Sequence, residues 1–400
     1  MNRIIFVVAI AISLSCSRSE KKSESITVNP QPSPADTLSA EPYLFSDPNG
    51  NVYLSWVEKK GEYHDFKFSK YSEDTWSEPV TIASDSTWFV NWADYPMASI
   101  NPSGDVLAHV LSKSGDGTFA YDVRMFLSND KGASWNKSFV IHDDGKQAEH
   151  GFVSLLPVNS NFFVTWLDGR NTAVEGMENG DHHGHHGEMS LRAAIVDTDG
   201  KKLNEWELDA RTCDCCQTSA AITSQGPVVI YRDRSDDEIR DISITRFVNE
   251  TWTEPASVFE DGWMIAGCPV NGPRMEARGD SLAIAWFSSP EEGVQVKVIF
   301  SDDGGETFSS PIRIDEGEPI GRVDVAWVDS ARVAVSWMEA ETIKAVVVHR
   351  DGTKGESFTV ATSSKARTSG FPQMIRVGNE LIFAWTDDAT KRVRVATVKF

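Results

Sequence analysis

Three cysteines, Cys213, Cys215 and Cys216, crowd into one tetrapeptide, and a fourth, Cys268, follows further along the chain. Thiolates are soft donors, and a set of this kind selects Cu(I) or Zn(II). The same four residues, an even number, also suit disulfide bonding in an oxidising compartment, with Cys268 bridged to one member of the cluster. The adjacent pair Cys215-Cys216 makes a second ordinary bridge awkward. Both roles stand for these residues. A further donor set is His182, His183, His185 and His186, in a glycine-rich stretch between Glu178 and Glu188. Four imidazoles among carboxylates can capture zinc, copper or nickel. The competing reading is a solvated polar loop that holds metal only adventitiously.

Arginines offer a different chemistry. Arg322 and Arg367, joined by one of Arg170, Arg232 or Arg234, can form a cationic floor for an anionic ligand, with Asp94 as the acid/base beside it. Each arginine taken singly also reads as a salt-bridge partner, most of all in Tyr231-Arg232-Asp233-Arg234-Ser235-Asp236-Asp237-Glu238. No G-x-S-x-G, H-E-x-x-H or P-loop pattern is present.

What must position these residues is a repeat. Seven short apolar runs end in a bulky residue and then turn polar: 52–56 (VYLSW), 106–110 (VLAHV), 162–166 (FFVTW), 227–231 (PVVIY), 282–286 (LAIAW), 333–337 (VAVSW) and 381–385 (LIFAW). Their spacing, roughly 50 to 65 residues, is in the range of β-propeller blades. Each run is preceded by a short β-prone segment introduced by Gly, Pro or Cys and is followed by a polar loop and a third strand. No helical period competes with this pattern. The expected fold is all-β: a single β-propeller of four-stranded blades, seven by this count, with six as the alternative.

A propeller sorts the chain by rim. The segment before each first strand and the loop after each second strand share one end of the body. Asp94, His150, the Cys213–Cys216 cluster, Cys268, Arg322 and Arg367 fall on that rim from the first group. Asp168, Arg170, the histidine run, Arg232 to Arg234 and Glu339 join them from the second. Cysteines and histidines on one rim, in adjacent units, strengthen the metal reading beyond what either set supports alone.

Two turns between third and fourth strands fit S-x-D-x-G-x-x-(W/F): Ser128-Asn129-Asp130-Lys131-Gly132-Ala133-Ser134-Trp135 and Ser301-Asp302-Asp303-Gly304-Gly305-Glu306-Thr307-Phe308. They resemble the Asp-box, or BNR, repeat of sialidase-like propellers. The resemblance implies a structural role for these turns, on the face opposite the pocket. It also implies a test for activity, because sialidases use an arginine triad, an acidic acid/base and a tyrosine nucleophile assisted by glutamate. Arg322, Arg367, Arg170 and Asp94 are the residues to carry the first two roles. Tyr231 sits where core tryptophans stand in other units, the family's Arg-Ile-Pro motif is absent, and sialidases have six blades. A ligand-binding propeller is therefore the first reading and an exo-sialidase-like glycoside hydrolase, acting on anionic glycans, the second.

Composition and the first residues set the location. The formal charge is −21 over 400 residues, which excludes a nucleic-acid partner. Residues 1–15 read as a signal peptide, with Arg3 before an apolar run too short to span a bilayer. Cys16 after Ser13-Leu14-Ser15 resembles a bacterial lipobox and is the expected lipidation site. Residues 16–40 read as a polar, proline-rich tether and 41–400 as the propeller. The final unit has only three strands, and the segment Ile26-Thr27-Val28 can supply its fourth or remain part of a free tether. The expectation is a monomer in the bacterial cell envelope, lipid-anchored on the periplasmic side or at the outer membrane, with a small-molecule or glycan ligand.

Overall fold

Each of the seven apolar runs is the second strand of its own antiparallel sheet: Val52–Lys60, Val106–Lys113, Asn161–Asp168, Pro227–Arg232, Ser281–Ser288, Arg332–Glu339 and Glu380–Asp387. The computed structural model describes residues 26–135, 137–173 and 187–400. Cys16 and the histidine run 182–186 lie outside the described residues. The sheets follow one another in chain order as blades 1 to 7, and the first strands of successive blades touch in a closed ring, blade 7 meeting blade 1. This is the seven-bladed propeller that the repeat predicts. Among the described residues, no helix is long and apolar enough to cross a membrane.

The second strands are buried along most of their length because a neighbouring blade covers each face. Buried clusters accordingly bridge blades. Trp56 and Leu54 of blade 1 pack with Ile382 and Ala384 of blade 7, and Trp337 of blade 6 with Ala283 and Phe287 of blade 5. Outer strands, with one face in water, alternate or are polar, as in Lys202–Asp209.

In blades 3 and 6 the tryptophan ending the second strand has a partner on its own strand. In Trp166-Leu167-Asp168 and Trp337-Met338-Glu339 the indole N–H donates to the carboxylate two residues on, at 2.8 and 2.7 Å. A buried indole donor needs an acceptor, and the acid supplies it at the strand's polar end. Asp168 and Glu339 are therefore spoken for by the scaffold.

The last blade is closed by the N-terminal segment. Val28–Gln31 pairs antiparallel with Arg392–Lys399, Val28 opposite Val398 and Gln31 opposite Val395. The strand lies slightly beyond the Ile26–Val28 segment expected for it, and the first strand of blade 1 already begins at Ser39. Part of the stretch assigned to the tether is thus built into the propeller.

The two S-x-D-x-G turns share one hydrogen-bond pattern. Ser128 Oγ accepts from Gly132 N and Ser301 Oγ from Gly305 N, both at 2.9 Å. Asp130 accepts from the backbone and hydroxyl of Ser134, and Asp303 from those of Thr307. Both turns join third to fourth strands, at the end of the body opposite the loops that follow second strands.

First strands in blades 1, 3 and 6 carry a bulge, and at each a non-glycine residue adopts positive φ: Glu41 (50°), Phe152 (53°) and Arg322 (54°). Such residues are strained and persist only where the surroundings hold them. At two of them the hold comes from the preceding blade. Asp94 Oδ2 accepts from Phe152 N and Asn271 Oδ1 from Arg322 N, each at 2.8 Å. The residue before each of these two is glycine for a steric reason. A Cβ on Gly151 would lie 2.0 Å from Asp94 Oδ2, and one on Gly321 2.1 Å from Asn271 Oδ1.

Candidate functional site

The segment leading into blade 4 folds Cys213, Cys215 and Cys216 into a tight knot, and the segment leading into blade 5 brings Cys268 against it. Cys213 N–H donates to the carbonyl of Arg232 at 3.1 Å, which pins the knot to the second strand of blade 4. Cys213 Sγ lies 3.5 Å from Cys216 Sγ and 3.9 Å from Cys215 Sγ. A tetrahedral site with metal–sulfur bonds of about 2.3 Å has sulfur–sulfur edges of about 3.8 Å, so these separations match a metal-binding set. They are too long for a bond between the sulfurs, and all four cysteines are free thiols. The bridge from Cys268 is not formed; its thiol instead interacts with that of Cys215.

Charge around the knot is arranged for thiolate. Burial raises the pKa of Cys213, but hydrogen bonds from Cys215 and Cys216 and the Arg240 guanidinium outweigh it and hold the thiol well below its ordinary value. Arg240 Nη1 donates to Cys213 Sγ at 3.2 Å, while Glu238 steadies the same guanidinium at 2.8 Å. A hydrogen bond from Cys215 likewise lowers Cys268. Cys215 donates toward its neighbours and is pushed up, and burial pushes Cys216 up. Cys213 and Cys216 are buried, Cys215 is half-buried and Cys268 is exposed, so the set opens to solvent at one corner. Arg234 clasps Glu238 at 2.6 Å and stands 3.6 Å from Asp214. Arg232, 1% exposed, donates to the carbonyls of Asn271, Arg240 and Phe287 and lies over Trp263, which makes it a strut beneath the knot.

The arginine floor is assembled only in part. Arg322 and Arg367 converge, their guanidinium carbons 4.9 and 6.0 Å from the ring centroid of Trp92. Arg322 is not a free cation, since it donates to Ser369 Oγ and to the carbonyls of Gly370 and Ala366. Burial, and then Arg367, lower its pKa to about 10. Arg170 stays away from them. Asp168 grips it through two bonds of 2.8 and 2.7 Å; burial raises this carboxyl, but the Arg170 pairing, the neighbouring His150 and then the Trp166 and backbone bonds outweigh it and hold Asp168 down to about 2. Asp94 is 1% exposed and serves the Phe152 bulge. Burial raises its pKa to about 7 and the Phe152 N–H opposes the rise. It precedes the first strand of blade 2, as expected, but is buried under the neighbouring blade. Tyr231 is likewise buried, its hydroxyl given to Asp209.

Beside Trp92 a cavity of about 510 Å³ opens between blades 7, 1 and 2, lined by Glu41, Lys59, His64, Thr386 and Lys391 among others. Glu41 Oε2 is buried without a partner, and burial raises this carboxyl to about 7. Sequence reasoning did not single out Arg240, Trp92 or Glu41. The charged run 231–238, read as salt-bridge partners, stops two residues short of Arg240.

No protein-family model matches the chain, and no curated protein matches it by sequence. Solved structures do. A protein of unknown function from Dyadobacter fermentans aligns with a TM-score of 0.50 at 13% identity, covering 94% of this chain and 98% of that one. An α-L-arabinanase from Penicillium chrysogenum, complexed with arabinobiose, also gives 0.50, at 12% identity over 94% and 97%. The Hadza microbial sialidase Hz136 gives 0.48 at 13% identity, over 83% of this chain and 73% of that one. What the chain shares with these proteins is the β-propeller.

Proposed function

We propose that the protein is an envelope-anchored, ligand-binding propeller whose rim holds one soft metal ion, copper(I) or zinc(II), on Cys213, Cys215, Cys216 and Cys268. The observation that carries this reading is the spacing of unbonded sulfurs, 3.5 and 3.9 Å, near the edge length of a tetrahedral thiolate site. Arg240 offsets part of the negative charge that several thiolates would gather around one ion, and Cys268 gives the ion a way in. The anchoring half of the proposal rests on Cys16 and the apolar segment before it, and the histidine run would act as an auxiliary metal trap on the same rim.

Metal analysis of protein purified without a His tag, paired with thiol titration, tests the reading. One equivalent of copper or zinc, with the thiols protected until a chelator removes it, is expected. Four oxidised cysteines and no retained metal would sink the proposal.

A sugar as the organic ligand is the second reading. It is favoured by the Trp92 cavity, with its aromatic wall, two lysines and unpartnered carboxyl, and by the fold shared with an arabinanase that binds arabinobiose. Sialidase-like hydrolysis gains no such support, because Asp94 and Arg170 are committed to the scaffold. Glycan-array binding that disappears in Trp92→Ala supports the sugar reading, and release of sialic acid from a fluorogenic substrate would restore the hydrolase.

A further inference from the structure

A second group of ligand-type side chains lies at the seam of blades 2 and 3, away from the thiolates. His142 and Asp144 follow the outer strand of blade 2, Asp122 stands in its third strand, and His150 opens blade 3. The two imidazoles stack with centroids 3.5 Å apart and planes 4° from parallel. Side chains of His142, His150 and Asp144 are 3%, 0% and 6% exposed. These are not surface charges.

The two imidazoles face more acceptors than neutral rings can serve. His150 Nδ1 faces the carbonyls of Tyr121 and Ala148 at 3.3 and 3.2 Å. Its Nε2 lies 3.0 Å from Asp144 Oδ2 and 3.6 Å from Asp168 Oδ1. Metal-binding histidines have this arrangement, with one nitrogen bonded to a carbonyl and the other free to ligate. His142 stands between carboxylates as well, Nδ1 3.2 Å from Asp144 Oδ2 and Nε2 3.5 Å from Asp122 Oδ1. Neither of its ring nitrogens makes a hydrogen bond of proper geometry. A neutral imidazole has only one N–H, so at least one lone pair here also confronts a carboxylate.

Charge points the same way. Among the described residues, Arg170 is the one Lys or Arg that ion-pairs with the carboxylates of Asp122, Asp144 and Asp168. Asp122, Asp144 and Asp168 thus crowd the two imidazoles in a seam where a buried charge needs a partner.

We propose that His142, His150, Asp144 and Asp122 form a second metal site, which takes one divalent ion of the zinc class, with Asp168 and Arg170 setting the charge around it. Imidazole and carboxylate donors suit a borderline divalent ion and disfavour Cu(I), so the two sites would take different metals when both are offered. Asp122, His142 and His150 offer ligand atoms within 4.8 Å of one another, and Asp144 Oδ2 stands 3.0 Å from His150 Nε2, within reach of an ion with bonds of about 2.0–2.2 Å. The His142 ring must turn out of the stack to reach the ion.

The test uses the full chain with the four rim cysteines changed to Ser and the four histidines of 182–186 changed to Ala, so that this seam is what remains to be read. Offered zinc alone and then dialysed, this protein is expected to keep one equivalent and to melt at higher temperature than when metal-free. His142→Gln in the same background should lose both the zinc and the shift while still melting cooperatively. A folded background protein that keeps no zinc, or a folded His142→Gln that keeps the full equivalent, overturns the site. Should the cysteine changes prevent folding, zinc-edge X-ray absorption of the chain lacking only the loop histidines decides. Nitrogen and oxygen neighbours with imidazole scattering support the site, and a sulfur-only shell at saturation overturns it.

Discussion

The backbone N–H of Phe152 donates to Oδ2 of Asp94 at 2.8 Å, so that one blade holds open the bulge of the next. Asn271 and Arg322 repeat the relationship three seams further on. Asp94→Ala would leave the strained Phe152 N–H buried without an acceptor, at a cost of about 1–3 kcal/mol. Asp94→Asn keeps an acceptor oxygen and should cost less. Urea unfolding of the two variants measures the difference, and equal stability would refute the role.

Stability should fall between about pH 4 and pH 8. Burial raises Glu41, Asp94 and Glu276 to about 7 and Glu149 to about 8. In that window the unfolded chain gives up protons that the folded chain retains, so rising pH favours unfolding. Asp168 and Glu238 have the opposite sign: ion-paired and held to about 2, they add stability that is lost as pH drops below about 4. The optimum is therefore expected near pH 4–5. Melting temperatures across pH 3–8 check this, and an optimum above pH 7 would contradict it.

Removing the closing strand should open the ring. A chain that starts after Gln31 leaves Arg392–Lys399 as a bare edge, and bare edges recruit other chains. We expect a lower melting temperature and self-association in size-exclusion chromatography. A monomer of unchanged stability would show the strand to be dispensable.

Arg240 should set the acidity at which metal is captured. Arg240→Ala removes the guanidinium that holds Cys213 down, so the pH midpoint of zinc or copper uptake should move upward. Arg240→Lys should move it less. An unchanged midpoint in both variants would separate Arg240 from the thiolates.

Cys16→Ala should abolish incorporation of labelled palmitate and release the protein from membranes in a bacterial host. A variant that remains labelled would place the lipid elsewhere.

The propeller was legible because its signal is local: each second strand is buried on both faces and must be apolar, and each ends in a Trp or its substitute. The rim, too, could be read, since strand order alone fixes which loops share an end. Depth could not. Asp94 lies on the expected rim yet under a neighbouring blade, and only packing between blades reveals that. Arg240 reaches Cys213 across the hairpin of blade 4, and His142 meets His150 across a seam, pairings with no motif in the chain. Arg170 misled because its partner, Asp168, stands two residues away and had been counted as a separate rim group.

On the proposed lipid at Cys16, the strand that closes blade 7 would also set how far the protein can stray. With a lipid at Cys16 and the fold starting at Val28, the span between them is residues 17–27, a contour of about 40 Å at full stretch. The body would be leashed within roughly its own width of the bilayer. Any pull on that leash would arrive first at the seam that keeps the ring shut.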